Sequence, residues 1–121
     1  MAIRSILIVD DSPTDRQYLC DMLARNGFKV STAESAEDAL VRVKELRPDL
    51  VLMDVVMPGQ NGFQATRTLS RDEGTKDIPV ILCTSKGQET DKVWGMRQGA
   101  RDYIVKPVVQ ADLLAKIAAL G

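Results

Sequence analysis

The sequence predicts an α/β fold: one five-stranded parallel sheet with five helices packed on its two faces. Three observations predict it. Short apolar runs recur along the chain, and between them apolar residues fall at helical spacing. The clearest runs, Ile6–Val9 and Leu50–Met53, are unbroken rather than alternating, which suits strands covered on both faces. Breaking residues stand at the junctions: Asn26-Gly27, Pro48, Pro58-Gly59, Gly99 and Pro107.

Each element has its own justification. Ile6–Val9 is β-branched and apolar, hence a strand, and it ends in Asp10-Asp11. Ser12 or Asp11 is placed to N-cap the first helix, with Pro13 near its first position. Tyr18, Leu19, Met22 and Leu23 recur at helical spacing, and Asn26-Gly27 stop the helix. Phe28–Thr32 is the second strand. Ser35 and Asp38 form a capping-box-like pair before the second helix, whose stripe is Ala36, Ala39, Leu40, Val43 and Leu46. The third strand, Leu50–Asp54, lies between Pro48 and a loop, Val55–Asn61. The third helix runs from Gly62 to Arg71, and the polar connection Arg71–Asp77 follows. Pro79–Cys83 is the fourth strand and ends in Thr84-Ser85. The fourth helix, Gln88–Gln98, turns Val93 and Met96 inward and leaves Trp94 off that stripe. Tyr103–Val105 is the fifth strand and ends in Lys106-Pro107. The last helix, Gln110–Leu120, sets Leu113, Leu114, Ile117 and Leu120 at helical spacing.

Bulk properties narrow the function. The 121 residues make one ordinary domain, 1–121, with no repeat or internal boundary, and the chain stops too close to the last helix to hold an output domain. Hydrophobic residues are 45% and charged residues 27%, as in soluble globular proteins. Sixteen basic against 17 acidic residues leave a net charge of −1, so no basic field exists to hold nucleic acid or anionic lipid. Ser5–Val9 is too short for a signal peptide, and no run reaches membrane-spanning length. Cys20 and Cys83 belong to no CxxC motif and read as reduced thiols of a cytoplasmic protein. Histidine is absent, which excludes a histidine general base, a histidine zinc site and a Ser-His-Asp triad.

The chemistry gathers at the strand ends, where open α/β sheets bind ligands. Strand one delivers Asp10 and Asp11, strand three Asp54, strand four Thr84 and Ser85, and strand five Lys106; only strand two delivers nothing ionisable. Carboxylates brought together repel unless a cation sits among them, and hard oxygen ligands suit Mg2+ or Mn2+. Lys106 adds a fixed positive charge and Thr84 a hydroxyl. Metal, ammonium and hydroxyl are what the peripheral oxygens of a phosphoryl group require. Asp54, single and central, is the candidate nucleophile for an aspartyl phosphate, and Asp10 and Asp11 are the candidate metal ligands.

With Val9-Asp10-Asp11, the stretch Met53–Gly62, Cys83-Thr84-Ser85 and the stretch Gly99–Pro107, essentially the whole chain resembles the receiver domain of two-component response regulators. The resemblance implies a flavodoxin-like sheet of order 2-1-3-4-5. It implies Asp54 as phospho-acceptor, Asp11 as direct Mg2+ ligand, Asp10 acting through water, and the Val56 carbonyl as a backbone ligand. It further implies Thr84 as the hydroxyl that moves to the phosphoryl group, Tyr103 as the aromatic switch, Lys106 as charge partner, and a cis bond to Pro107. The residue after Pro107 is Val108 where an aromatic is more usual. A narrower resemblance, over Val55–Arg67 and Gln88–Tyr103, is to single-domain regulators of type IV pilus twitching motility.

The expected function is therefore a phosphorylation switch rather than an enzyme with an external substrate. A histidine kinase or phosphotransfer domain would be the donor. The face formed by the fourth helix, fifth strand and fifth helix would bind a downstream protein. Lys86 and Val56 flank the approach of water to the phosphoryl group and should influence its loss. An aspartyl-phosphate phosphatase on a similar sheet would want its nucleophile on strand one and a second Asp two residues on, where Ser12 stands. A flavin carrier would meet repulsion between the FMN phosphate and Asp10-Asp11. A receiver that binds without phosphorylation sits poorly with the intact pocket.

Overall fold

The computed structural model describes residues 2–120. In chain order the elements are β1 (Ser5–Val9), α1 (Pro13–Arg25), β2 (Lys29–Ala33), α2 (Ala36–Leu46), β3 (Leu50–Met53), α3 (Gly62–Arg71), β4 (Val80–Thr84), α4 (Glu89–Arg97), β5 (Asp102–Val105) and α5 (Gln110–Leu120). All strand pairs are parallel and the sheet order is β2-β1-β3-β4-β5. A helical crossover joins each strand to the next, so every carboxyl end reaches the same edge of the sheet.

Period-two alternation along the strands sorts the core into two layers. Leu7, Val9, Val51, Met53, Val80, Leu82 and Tyr103 face one way, packed with residues of α2 and α3. Ile6, Ile8, Leu50, Leu52, Ile81, Cys83 and Ile104 face the other, against Leu19, Met22 and Leu23 of α1 and Leu113 and Ile117 of α5. The central strands β1, β3 and β4 are therefore buried on both faces, as their unbroken apolar runs require.

Local signals act largely as predicted. Ser12 is the cap of α1: its hydroxyl accepts the Asp15 N–H, and Pro13 takes the first helical position. Asn61 and Gln64 cap α3 reciprocally. At α2 the Ser35 hydroxyl accepts the Asp38 N–H, while the Asp38 carboxylate turns to Arg42 instead of completing the box. The Lys106–Pro107 bond is cis.

Four expectations need correction. Val93 and Met96 do not point inward; both are exposed, together with Trp94, and the buried residue of α4 is Gly95. A Cβ built on Gly95 would lie 2.6 Å from Leu82 Cδ1 and 3.2 Å from the Tyr103 ring. The helix thus lies against β4 and β5 through bare backbone, and its larger apolar residues face out. Leu46 ends α2 exposed, beyond the reach of the core layer, although its spacing fits the stripe. Tyr18 is half-exposed, with its hydroxyl donating to the Val108 carbonyl at 2.8 Å. β2 runs one residue further than predicted, so it does deliver an ionisable group at its tip: Glu34, paired with Arg16 at 3.4 Å. No helix among the described residues is long and apolar enough to cross a membrane.

Candidate functional site

Sheet register sets the centre of the site. Val9 and Met53 are opposite one another on neighbouring strands, so Asp10 and Asp54 leave the sheet side by side. The pairing holds to the last residue: the Asp54 N–H donates to the Val9 carbonyl at 2.9 Å, and the Asp10 N–H to the Ala33 carbonyl at 3.1 Å. Asp10 and Asp54 are both buried, whereas Asp11 faces solvent. One carboxylate oxygen from each of the three lies within 4.8 Å of the others.

Lys106 enters from the far side, at the end of β5, where its N–H donates to the Thr84 carbonyl at 2.8 Å. Its ammonium donates to Asp10 Oδ2 at 2.7 Å and to Asp15 Oδ2 at 2.8 Å. It stands 3.6 Å from Asp54 Oδ2. Asp10 is fixed from several sides. Its Oδ1 accepts the Ser12 N–H at 2.9 Å, and its carbonyl accepts Arg16 Nη1 at 2.7 Å. Asp54 Oδ1 accepts the N–H of Val55 at 2.8 Å.

The charges do not balance. Asp10, Asp11, Asp15 and Asp54 share one ammonium. Burial first, then the charge of Asp10, pushes the Asp54 carboxyl above the ordinary carboxylate range; Lys106, the Thr84 hydroxyl and the Val55 N–H pull the other way and are outweighed. Burial of Lys106 works against its charge, but its bonds to Asp10 and Asp15 and the field of Asp54 overcome this and hold it protonated far into alkali. Buried carboxylates left short of positive charge, all with hard oxygen donors, fit a small divalent cation better than a soft metal.

The segment after β3 is locked from below. The Gly62 N–H donates to the Val55 carbonyl at 2.9 Å. A Cβ on Gly62 would stand 2.0 Å from the Asp54 carbonyl oxygen, so only glycine admits the start of α3 this close to the acid. On the other flank the Gln60 N–H donates to Glu37 Oε2 at 3.3 Å. Val56, between these anchors, turns its side chain to solvent.

Thr84 is fully buried, and its Oγ1 accepts the Lys86 N–H at 3.4 Å. The Tyr103 hydroxyl donates to the Lys86 carbonyl at 2.6 Å, which seats the ring inward beneath Gly95. Burial, then the charges of Asp91 and Asp54, pushes this phenol up to about 12. Cys83, buried between the strand ends, is likewise pushed up to about 12 by burial and remains a thiol. The fold thus brings Asp10, Asp11, Asp54 and Lys106 into one pocket. Thr84 and Tyr103 meet through the Lys86 backbone on its β4 side.

The sequence does not announce Asp15. It stands in the first turn of α1, where an acid ordinarily reads as a partner of the helix dipole. Its contact with Lys106 spans 91 positions of sequence, and only the crossover geometry reveals it. Glu37 is missed for the same reason.

A family profile described as "Response regulator receiver domain" matches residues 6–118. Over 115 residues the chain is 56% identical to the protein PilH of Pseudomonas aeruginosa, covering 95% of each. It is 41% identical over 117 residues to the phosphate regulon transcriptional regulatory protein PhoB of Escherichia coli, covering 97% of this chain and 51% of that one, about half its length. Its structure matches that of the chemotaxis protein CheY4 of Vibrio cholerae with a TM-score of 0.91, at 29% identity, covering 99% of this chain and 100% of that one.

Proposed function

The chain belongs to the response regulator receiver family, and from that premise we propose that it is a switch operated by a phosphoryl group on Asp54. The donor is a phosphohistidine of a histidine kinase or phosphotransfer domain. An Asp54 carboxylate oxygen attacks phosphorus, and the phosphorus–nitrogen bond of the donor breaks. The electron pair stays with the departing imidazole, which recovers its proton from solvent. The single observation that carries this reading is the unbalanced pocket: a buried Asp54 beside Asp10 and Asp11, with the Lys106 ammonium 3.6 Å away.

Asp11 and Asp54, the Val56 carbonyl, and Asp10 through water would hold Mg2+ or Mn2+. When bound, such an ion neutralises charge on the oxygens of the transferring group. Lys106 offsets charge on acceptor and phosphoryl oxygens from the opposite side. The Thr84 hydroxyl turns to the phosphoryl group. That movement withdraws it from the Lys86 N–H, and the Tyr103 ring loses its fixed seat. Lys86 and Val56 flank the line of a hydrolytic water and set how long the phosphoryl group lasts.

The output is protein binding at the face of α4, β5 and α5. The exposed Val93, Trp94 and Met96 of α4 and Val105 of β5 support this, since large apolar side chains left in solvent favour a protein partner. The receiver domain acts in the cytoplasm, without an external substrate. It serves signalling of the type IV pilus or chemotaxis kind. Incubation with acetyl phosphate and Mg2+, read by intact mass, tests the reading. One phosphoryl adduct, lost in Asp54→Ala, is the expected result; no adduct from any small donor or kinase refutes it.

A further inference from the structure

We propose that Asp15 is a positioning residue that holds Lys106 back from Asp54 and so restrains phosphorylation in the resting protein. The inference rests on the switch reading above, and its ground is how the ammonium divides its hydrogen bonds. Lys106 Nζ donates to Asp10 at 2.7 Å and to Asp15 at 2.8 Å, while Asp54 Oδ2 lies outside hydrogen-bond range at 3.6 Å.

The two bonded carboxylates are not equivalent. The Asp10 side chain is 2% exposed and is tied by the Ser12 N–H, so its hold on Lys106 is permanent. The Asp15 side chain is 44% exposed, and water replaces its partner readily. Asp15 is the bond that yields. When Asp54 binds phosphorus and the bond from phosphorus to the donor breaks, the new phosphoryl oxygens compete for the ammonium. Lys106 then leaves Asp15 and keeps Asp10. Each phosphorylation event therefore bears the loss of the Lys106–Asp15 pair, and each hydrolysis regains it. The first turn of α1, fixed by the Ser12 cap and Pro13, places the Asp15 carboxylate where it can do this.

The test uses Asp15→Asn, which keeps size and removes charge, in the whole chain at saturating Mg2+. The maximal rate of adduct formation from acetyl phosphate should rise roughly two- to fivefold, and adduct hydrolysis should slow by a similar factor. Asp15→Glu, which keeps the charge, should stay near the parent rate. In a Lys106→Ala background the Asp15→Asn effect should vanish, and the Lys106 Nζ NMR resonance should move in Asp15→Asn without any donor present. An unchanged or lower maximal rate, an unmoved resonance, or the same gain without Lys106 overturns the proposal. The last outcome would show Asp15 acting on the anionic donor through the general field. Parent protein that takes a phosphoryl group but ignores Asp15→Asn sinks this inference alone; parent protein that takes none sinks the switch reading with it.

Discussion

Gly62→Ala tests how rigidly the fold holds Asp54. The new methyl would meet the Asp54 carbonyl oxygen at 2.0 Å and the Asp54 carbonyl carbon and Val55 Cα at 2.8 Å. All three are backbone atoms, so no rotamer change relieves the clash. Ordinary contact begins at 3.4 Å, and the chain must open by 1.4 Å to reach it. That opening breaks or lengthens the bond from the Gly62 N–H to the Val55 carbonyl. Overpacking of a close-packed site costs about 1–3 kcal/mol, more where the backbone must move. Exchange of glycine for alanine in a helix returns up to about 1 kcal/mol, less at a first position. Because backbone atoms must move, the cost sits at the upper end of that range, and the net loss is about 2–3 kcal/mol.

In a domain of this length 1 kcal/mol moves the melting midpoint by roughly 4 °C, so Gly62→Ala should melt about 10 °C below the parent protein. Thermal denaturation followed by circular dichroism reads this. Gly74→Ala is the control, because its Cβ would meet only Asp72 Oδ1 at 3.4 Å, and its midpoint should stay within about 2 °C. Adduct formation should fall in Gly62→Ala even well below its melting point, since the displaced atoms belong to the acceptor itself. A Gly62→Ala protein that melts within 3 °C of its parent and accepts phosphate at the parent rate would refute the reasoning.

Three further outcomes rest on individual side chains of the same fold. Asp49 Oδ2 accepts the N–H of Arg4 at 2.9 Å and of Ser5 at 3.1 Å, and these bonds depress its carboxyl. Its contribution is present above the ordinary carboxylate range and lost as pH falls through the depressed value; solvent screens the partly exposed carboxylate, so Asp49→Ala should cost at most about 1 kcal/mol in urea at pH 7 and still less in strong acid. Asp54 has the opposite sign: its carboxyl is raised, so stability falls as pH rises through the folded value. Without divalent cation, Asp54→Asn should therefore be more stable than the parent at neutral pH, by on the order of 1 kcal/mol, with the gap closing in acid and reversing in Mg2+. Tyr103→Phe removes the 2.6 Å bond to the Lys86 carbonyl and should cost about 1 kcal/mol, read as a melting shift of roughly 4 °C.

The sheet was legible because strands buried on both faces leave little choice of residue: Ile6–Val9 and Leu50–Met53 are unbroken apolar runs that no surface element would carry. The juxtaposition of Asp10, Asp11, Asp54 and Lys106 was legible for a geometric reason, since parallel strands with crossovers deliver all their carboxyl ends to one edge. Less was visible where packing distance, rather than residue type, decides. Leu46 fits the α2 stripe yet sits past the end of the layer it would join. Glu34 came into the picture only because β2 extends to Ala33. Asp15 carries no mark of its contact with Lys106, because an acid in a first turn has a sufficient local explanation. Gly62 read only as the start of the third helix, although its lasting constraint is the backbone of Asp54.

The reversal of α4 has the same origin and bears most on the switch. Helical spacing assigns Val93 and Met96 to a core face only if the helix stands a side chain's length from the sheet. Gly95 removes that spacing, and the helix rests directly on Leu82 and the Tyr103 ring. Two consequences are coupled. The large apolar residues of α4 must face solvent, and the ring beneath the helix becomes part of its support. That ring is held by the Lys86 carbonyl, and the Lys86 N–H is held by Thr84 Oγ1. A change at Thr84 is thus two hydrogen bonds from the seat of the helix that presents Trp94. In the proposed switch no long pathway is required. A hydroxyl that turns toward Asp54 loosens Lys86, the ring loses its acceptor, and α4 loses the surface it rests on. A glycine that reads as a flaw in an amphipathic helix is what lets the strand-end chemistry reach the outward face.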